Sequence, residues 1–415
     1  MKVFKFGGAS VRDAAGIRNL GDIIGHSSDH PVIVVSAFGK TTNALEKVLN
    51  QWFSGDKTYS ESLKNILEYH LSSINDLSLN GHHVKNDIEE SFRKLLKYLE
   101  SGIRKDYDFE YDQIVSHGEL WSTMIVAAYL GSRYSDVIWK DIRDYLVTDN
   151  RYRDANVLWE ESVTGIRSAF AEDMTYITQG FIGSTKDGFT TTLGREGSDY
   201  TAALLANMLD AESVTVWKDV PGIMNADPAW MKQVVKLEEI SYREAVEMTF
   251  SGAKVIHPKT IKPLHNKGIP LFVKSFINPS GTGTIIKSDP EIIKQIPVFV
   301  RKENQILISI LPVDFSFVMG DNLSRIFNYF SDRGIKVNLV EASAVSIDVC
   351  VNDEKEKFRA LTEDLKGEFT IIYNDNVEML SIRHYTEESI RHIIEGRDVL
   401  LQQRTRTTVR FVVRS

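Results

Sequence analysis

The chain has 415 residues, 42% hydrophobic and 26% charged, with a net charge of -8, a globular composition too long for one ordinary core, so two or three domains are expected. The acidic balance excludes nucleic acid as the main partner, because phosphate backbones select basic faces. The single cysteine, Cys350, excludes an intrachain disulfide and a cysteine-based zinc site.

The opening Met1-Lys2-Val3-Phe4-Lys5-Phe6-Gly7-Gly8 has too short an apolar run for a signal peptide, and no stretch approaches the roughly 20 apolar residues that cross a bilayer. A cytoplasmic protein without membrane contacts is expected. In chain order, residues 3–6 read as a strand, followed by a glycine turn and a helical stretch over 11–24. The β-branched run at 31–36 suits a strand buried on both faces of a parallel sheet. Helical periodicity dominates from 42 to 132, with polar breaks near Gly55, Gly81 and Gly102. Strands at 175–180, 214–217 and 271–275 then alternate with helices at 198–209 and 242–250. This alternation predicts an α/β sandwich with helices on both faces.

After Asn278-Pro279-Ser280-Gly281-Thr282-Gly283, a strand at 284–286 closes the domain and a charged connector is expected to run to Lys302. Strand 306–311, helix 322–333, strands 337–341 and 345–351, helix 354–365 and strand 370–373 give the βαββαβ order of a ferredoxin-like unit. A second, shorter copy follows, with strand 377–382, helix 387–394 and strands 399–403 and 409–413, and no final helix and strand before Ser415. Domains are therefore expected at 1–288, 303–376 and 377–415.

Lys5-Phe6-Gly7-Gly8-Ala9-Ser10 ends a strand and opens a helix. Adjacent glycines there let backbone N–H groups approach an anion at a positive helix N-terminus, and Lys5 adds full charge; an ordinary βα turn with a surface lysine fits the same residues. Thr190-Thr191-Thr192-Leu193-Gly194-Arg195-Glu196-Gly197-Ser198-Asp199 sets a guanidinium, hydroxyls and a carboxylate before another helix. That cluster suits a small charged ligand, or simple capping by Ser198 or Asp199. Gly252-Ala253-Lys254-Val255-Ile256-His257-Pro258 places a lysine between two helices, and His257 reads as structural. Trp217-Lys218-Asp219-Val220-Pro221-Gly222-Ile223 ends a strand in a Pro-Gly turn. Gly39-Lys40-Thr41-Thr42 only mimics a P-loop tail, since Val34 stands at the required upstream glycine position. His82-His83 reads as solvated, and no metal-site spacing occurs.

Taken in order, these segments resemble the aspartate kinase branch of the amino-acid kinase family. The likeness rests on Lys5-Phe6-Gly7-Gly8-Ala9-Ser10-Val11, Val35-Ser36-Ala37 with Thr42-Asn43, Val115-Ser116-His117-Gly118-Glu119 and Thr178-Gln179-Gly180-Phe181-Ile182-Gly183. Residues 191–202, Asp219-Val220-Pro221-Gly222-Ile223 and the Lys254 segment complete it, over nearly all of residues 1–287. The C-terminal units resemble ACT regulatory domains.

The resemblance implies a three-layer αβα kinase sandwich, followed by ferredoxin-like ACT-type units. It implies transfer of the γ-phosphoryl group of ATP, with Mg2+, to the β-carboxylate of L-aspartate, the first step towards lysine, threonine and methionine. Such an acceptor is already ionised at neutral pH, so catalysis reduces to positioning two anions and neutralising charge, which fits the lack of a histidine base. By resemblance, Lys5 and Lys254 contact the phosphates, Gly7, Gly8 and Ser10 cradle them, and Asp199 organises the lysines or the Mg2+ shell. Arg195 pairs with the aspartate α-carboxylate and Glu119 with its ammonium, while Ser36, Thr42 and Ser198 complete the pocket. Trp217, Lys218, Asp219 and Ile223 lie where the family holds the nucleotide. Three departures stand out: Ala9 replaces a common threonine, Glu196 a common glycine and Ala229 a common arginine.

The resemblance also implies a homodimer or higher homo-oligomer through the ACT-like units. An amino-acid effector, lysine or threonine, would bind between the loop 312–321 and the segment 341–345, near Met319, Asp321, Glu341 and Ser343. Phe315 and Phe317 make that loop aromatic, and Ala344 stands where lysine-inhibited relatives carry a carboxylate. Length leaves no room for a fused homoserine dehydrogenase, and none is expected. Two other readings remain. One is a related kinase with another carboxylate, a carbamate or a nucleotide phosphate as acceptor; Ser116-His117-Gly118-Glu119 and the ACT-like tail weigh against it. The other is a catalytically inactive sensor, which would have no need of Lys5, Lys254, Asp199, Arg195 and Glu119.

Overall fold

The computed structural model describes residues 1–25, 30–102, 104–253, 256–288, 296–314 and 316–414; Lys254, Phe315 and Ser415 lie outside the described residues. The chain divides into two compact units. One comprises Met1–Ile223, Lys236–Val246 and Ile256–Ile292, the other Met224–Val235, Glu247–Val255 and Ile293–Ser415. An unbroken domain over 1–288 does not take in this exchange. Within the second unit the Phe299 N–H donates to the Asn225 carbonyl at 2.7 Å, and Trp230 and Met231 pack on an apolar cluster around Phe411.

The chain opens with β1 (Lys2–Phe6), α1 (Ala14–Gly25) and β2 (Val32–Val35). A helical block follows: α2 (Thr41–Ser54), α3 (Tyr59–Asp76), α4 (Val84–Glu100), α5 (Tyr107–Val115) and α6 (His117–Gly131). Then come β3 (Val137–Lys140), β4 (Val147–Thr148), α7 (Trp159–Ala169), β5 (Thr175–Gln179), β6 (Ile182–Thr185), β7 (Thr190–Thr192), α8 (Gly197–Met208) and β8 (Ser213–Lys218). The run ends with β9 (Glu239–Ser241), α9 (Tyr242–Ser251), α10 (Pro258–Lys267), β10 (Leu271–Ser275) and β11 (Thr284–Lys287).

Among the described residues the main sheet has the order β3-β5-β2-β1-β8-β10-β11-β9 and is parallel except at the β10–β11 pair. Val32, Ile33, Val34 and Val35 are all fully buried, as a strand covered on both faces requires. Period two divides β1: Phe4 and Phe6 join the apolar cluster that includes α1 and α6, while Lys5 faces α8. Helix α1 starts at Ala14 rather than at residue 11. The N–H groups of Ser10 and Val11 are spent on the Gly7 carbonyl, and Asp13 Oδ1 accepts the Gly16 N–H at 2.8 Å as a cap. The strands β3, β4, β6, β7 and β9 go beyond the sequence reading; each has four residues or fewer, too few to show a period.

The second unit contains β12 (Val298–Pro312), α11 (Asp321–Asp332), β13 (Val337–Ala342), β14 (Ile347–Asn352), α12 (Lys355–Leu365), β15 (Phe369–Arg383), α13 (Glu387–Ile394), β16 (Asp398–Arg404) and β17 (Thr408–Arg414). They form one antiparallel sheet in the order β13-β14-β12-β15-β17-β16. The expected connector up to Lys302 is therefore corrected: its last residues are strand. Beyond a bulge between Lys302 and Gln305, β12 pairs with the start of β15 in the first ferredoxin-like unit; before it, residues 298–302 pair with 379–383 in the second. The strand missing from the end of the second unit is thus supplied from upstream. No helix among the described residues is long and apolar enough to cross a membrane.

Candidate active site

The carboxyl ends of β2, β1 and β8 lie side by side, with the chain leaving β1 for one neighbour and returning on its other side, the place where open α/β sheets gather ligands. On the α8 face the Lys5 ammonium meets Asp199 Oδ1 at 2.7 Å, and both side chains are largely buried. Burial opposes the Asp199 charge, but the ammoniums of Lys5 and Lys218 outweigh it and hold the carboxyl below its usual range. A β-carbon at Gly7 would stand 3.4 Å from Lys5 Nζ, and one at Gly8 would strike the Ala37 carbonyl at 2.5 Å. The Gly39 N–H donates to the Gly8 carbonyl at 3.0 Å, so Gly8 lets the turns after β1 and β2 lock together. Ser10 is buried within the first of these turns.

On the other turn, Ser36 is partly exposed and its carbonyl accepts the Ser122 hydroxyl at 2.9 Å. Thr42 is partly exposed in the first turn of α2; its neighbour Thr41 has a buried hydroxyl with no partner among the described residues. Glu119, in the first turn of α6, is 2% exposed. Its Oε1 accepts the Ala37 N–H at 3.3 Å, whereas Oε2 is buried without a partner among the described residues. Burial pushes this carboxyl up to about 8. His117 beside it is pushed down to about 4, chiefly by burial, and its Nδ1 meets the Gln113 carbonyl at 3.0 Å.

Arg195 and Glu196 are exposed just before α8, and Ser198 is buried in its first turn. Arg195 makes no ion pair among the described residues. A β-carbon at Gly180 would fall 2.5 Å from Ser198 Cβ, so this glycine admits the start of α8 to the end of β5. The turn is anchored by Asp112, a buried carboxylate that sequence reasoning missed. It accepts Thr192 Oγ1 at 2.7 Å, the Thr192 N–H at 2.8 Å and the Arg153 N–H at 3.0 Å. Burial dominates there too and pushes Asp112 up to about 7.

The nucleotide-side residues divide. Trp217 lies on the opposite face of the sheet from Lys5, stacked on Phe6 at 6.0 Å and edge-on to Phe4, so its ring belongs to the core. Ile223 is also buried, and its N–H donates to Thr284 Oγ1 at 2.8 Å. Both side chains are committed to packing. Lys218 and Asp219 are the polar groups at the strand end. Lys254 falls outside the described residues. His257 does prove structural: its Nδ1 accepts the Lys259 N–H and caps α10.

The sheet topology carries a lysine–aspartate pair behind a glycine turn and, at the start of α6, a buried carboxylate with one oxygen unpartnered among the described residues. The chain belongs to the amino acid kinase family, whose pattern it matches over residues 1–275, and within that family its relatives are aspartokinases. It is 33% identical to lysine-sensitive aspartokinase 3 of Escherichia coli, over 83% of this chain and 77% of that protein. It is 31% identical to a chloroplastic bifunctional aspartokinase/homoserine dehydrogenase 2 of Arabidopsis thaliana over 89% of this chain, yet spans only 42% of that relative's length. The crystal structure of E. coli aspartokinase III with aspartate and ADP superposes with a TM-score of 0.85 at 28% identity, covering 100% of this chain and 96% of the other.

Proposed function

We propose that this chain transfers the γ-phosphoryl group of ATP to the β-carboxylate of L-aspartate. The observation that carries the reading is Glu119, a buried carboxylate with one oxygen unsatisfied among the described residues. Such a group is costly unless a cation completes it. The ammonium of an amino acid does so; a carbamate or a nucleotide phosphate brings none. Arg195, without an ion pair among the described residues, supplies the fork for the α-carboxylate. By family likeness Ser36, Thr42 and Ser198 complete the pocket, and Thr41 adds a hydroxyl that lacks a partner among the described residues.

Lys5 is positioned by Asp199 to meet charge on the transferring group, and Lys254 has that role by family likeness. The described residues contain no group of three or more His, Cys, Asp or Glu placed to hold a metal ion, and Asp199 is engaged by Lys5. Mg2+ therefore fits as an ion carried by the nucleotide phosphates, where it neutralises their charge. With Mg-ATP and L-aspartate the purified protein should release ADP and form an acyl phosphate that hydroxylamine traps. ADP release with glutamate or a nucleotide in place of aspartate would refute the assignment.

The second unit supports an effector site of the kind expected. The Val318 N–H donates to the Ala344 carbonyl at 3.0 Å, so the loop and the segment meet. Met319 is exposed beside Asp321, which opens α11; Ser343 bonds Ser346 Oγ at 2.7 Å within its own turn, and Phe317 is exposed. Glu341 accepts Gln403 Nε2 at 3.1 Å, and it and Asp321 are the carboxylates available to a cationic amino acid. A solved E. coli relative holds lysine together with aspartate. Lysine or threonine is the proposed effector, a homodimer or higher homo-oligomer the proposed state, and the cytoplasm the proposed compartment. A thermal-shift comparison tests the effector, because a specific binder stabilises the fold by mass action.

A further inference from the structure

Glu196 precedes α8 in the left-handed region, at φ 56°, where crowding at the β-carbon penalises every residue but glycine. Strain of this kind beside an active site points to a task for the residue that bears it. The side chain shows one: Glu196 Oε2 accepts the backbone N–H of His257 at 3.0 Å. His257 is the cap of α10 and follows Lys254 by three residues in the chain. The other neighbour of Arg195 lies against a side chain that is paired with the same helix. A β-carbon on Gly194 would lie 2.6 Å from Asp154 Oδ1, and that oxygen pairs with the Lys259 ammonium. One flank of Arg195 is thus bonded to the cap of α10, and the other lies against a carboxylate that pairs with the second residue of that helix.

We propose that Glu196 is a positioning residue that links the aspartate turn to the start of α10, so that filling the aspartate subsite tightens nucleotide binding, and the reverse. The inference rests on the aspartate kinase reading. A ligand that fixes one turn leaves less motion for the second ligand to remove from the other, and the linkage is reciprocal for binding. The hydrogen bond needs only an acceptor oxygen, so Glu196→Gln keeps it. Glu196→Ala and Glu196→Gly both lose it, and glycine relieves the backbone strain as well.

The test is calorimetric titration of ADP, with and without saturating L-aspartate, into the wild type and the three variants. Aspartate should tighten ADP about fivefold or more in the wild type and equally in Glu196→Gln. In Glu196→Ala and Glu196→Gly that enhancement should vanish, while the affinity for aspartate alone is little changed. The glycine variant should melt no lower than the wild type, which separates lost coupling from lost fold. The tether is overturned by an enhancement that survives in the Ala and Gly variants, by a glutamine variant as defective as alanine, or by its absence in a wild type that binds both ligands. A wild type that does not bind aspartate overturns the kinase reading, and this inference with it.

Discussion

At the β12 bulge of the six-stranded sheet, buried polar groups answer one another. Gln305 Oε1 accepts Asn338 Nδ2 at 2.8 Å, Asn338 Nδ2 also reaches Asn352 Oδ1 at 2.8 Å, and Lys302 Nζ donates to Asn338 Oδ1 at 2.9 Å. Arg301, beside them, pairs with Glu378 on the next strand. At the start of α6 the arrangement is left unfinished: Glu119 is as deeply buried as Gln305, but one of its oxygens has no partner among the described residues. Closed networks hold a fold in one register, whereas an open valence is kept for something that arrives. The contrast is between a polar network closed at the β12 bulge and a carboxylate left open at the start of α6, and substitutions in the two places should differ in kind.

The largest effect should come from Lys5→Ala, since its ammonium meets charge that develops only during transfer. A loss of about 3–4 kcal/mol, or roughly 100- to 1000-fold in kcat, is expected with little change in KM for aspartate. Lys254→Ala should behave alike. Near-normal turnover in steady-state kinetics of the Lys5 variant would remove that lysine from the mechanism.

Glu119→Gln should instead weaken aspartate binding by roughly 2–3 kcal/mol, about 30- to 150-fold in KM, because the ammonium loses its counter-charge. The pH dependence follows from the direction of the shift. Burial raises Glu119 from 4.5 to about 8, so between those values the folded state holds a proton that the unfolded chain has released. Folding stability of the ligand-free protein therefore declines as pH rises through that window. Aspartate affinity should rise over the upper part of it, because the ammonium requires the ionised carboxylate. Titration of aspartate affinity from pH 6 to 9 should give a slope that the glutamine variant lacks.

Arg195→Lys is expected to cost less, about 1.5 kcal/mol or roughly tenfold in KM for aspartate, since lysine keeps the charge and loses the fork. An unchanged KM for aspartate with a raised KM for ATP would move Arg195 to the nucleotide side.

How much of this was legible depended on whether the cause was local. The glycine turn after β1 and the three helices of the ferredoxin-like units announce themselves over a few residues; the cap of α8 does not, since Glu196 stands there in place of the expected Ser198 or Asp199 and its side chain makes no cap bond. Asp112 does not, because its meaning lies in Thr192 and Arg153, which are distant in the chain. The start of β12 was hidden for the same reason: Arg301 and Lys302 look like a solvated connector until Glu378 and Asn338 are placed beside them. For Trp217 the motif position gives no side-chain direction, and the pleat of β8 turns that ring into the core.

The smallest effect on catalysis, and the sharpest test of the contrast, is Gln305→Leu. Gln305 is 2% exposed and closes the polar network: its Nε2 donates to the carbonyls of Glu303 and Asn304 at the β12 bulge, at 2.9 and 3.1 Å, and its Oε1 accepts from Asn338. Leucine fills much of the same volume and satisfies none of these groups, so the penalty is that of buried polar atoms left unpaired, about 1–3 kcal/mol. The bulge is also the point at which β12 passes from one ferredoxin-like unit to the other, so its loss should lower the cooperativity of unfolding as well as the midpoint. The kinetic constants for aspartate and ATP without effector should stay where they were. A variant that melts like the wild type but turns over many times more slowly would show that this network belongs to the chemistry, and the division between the two regions would have to be redrawn.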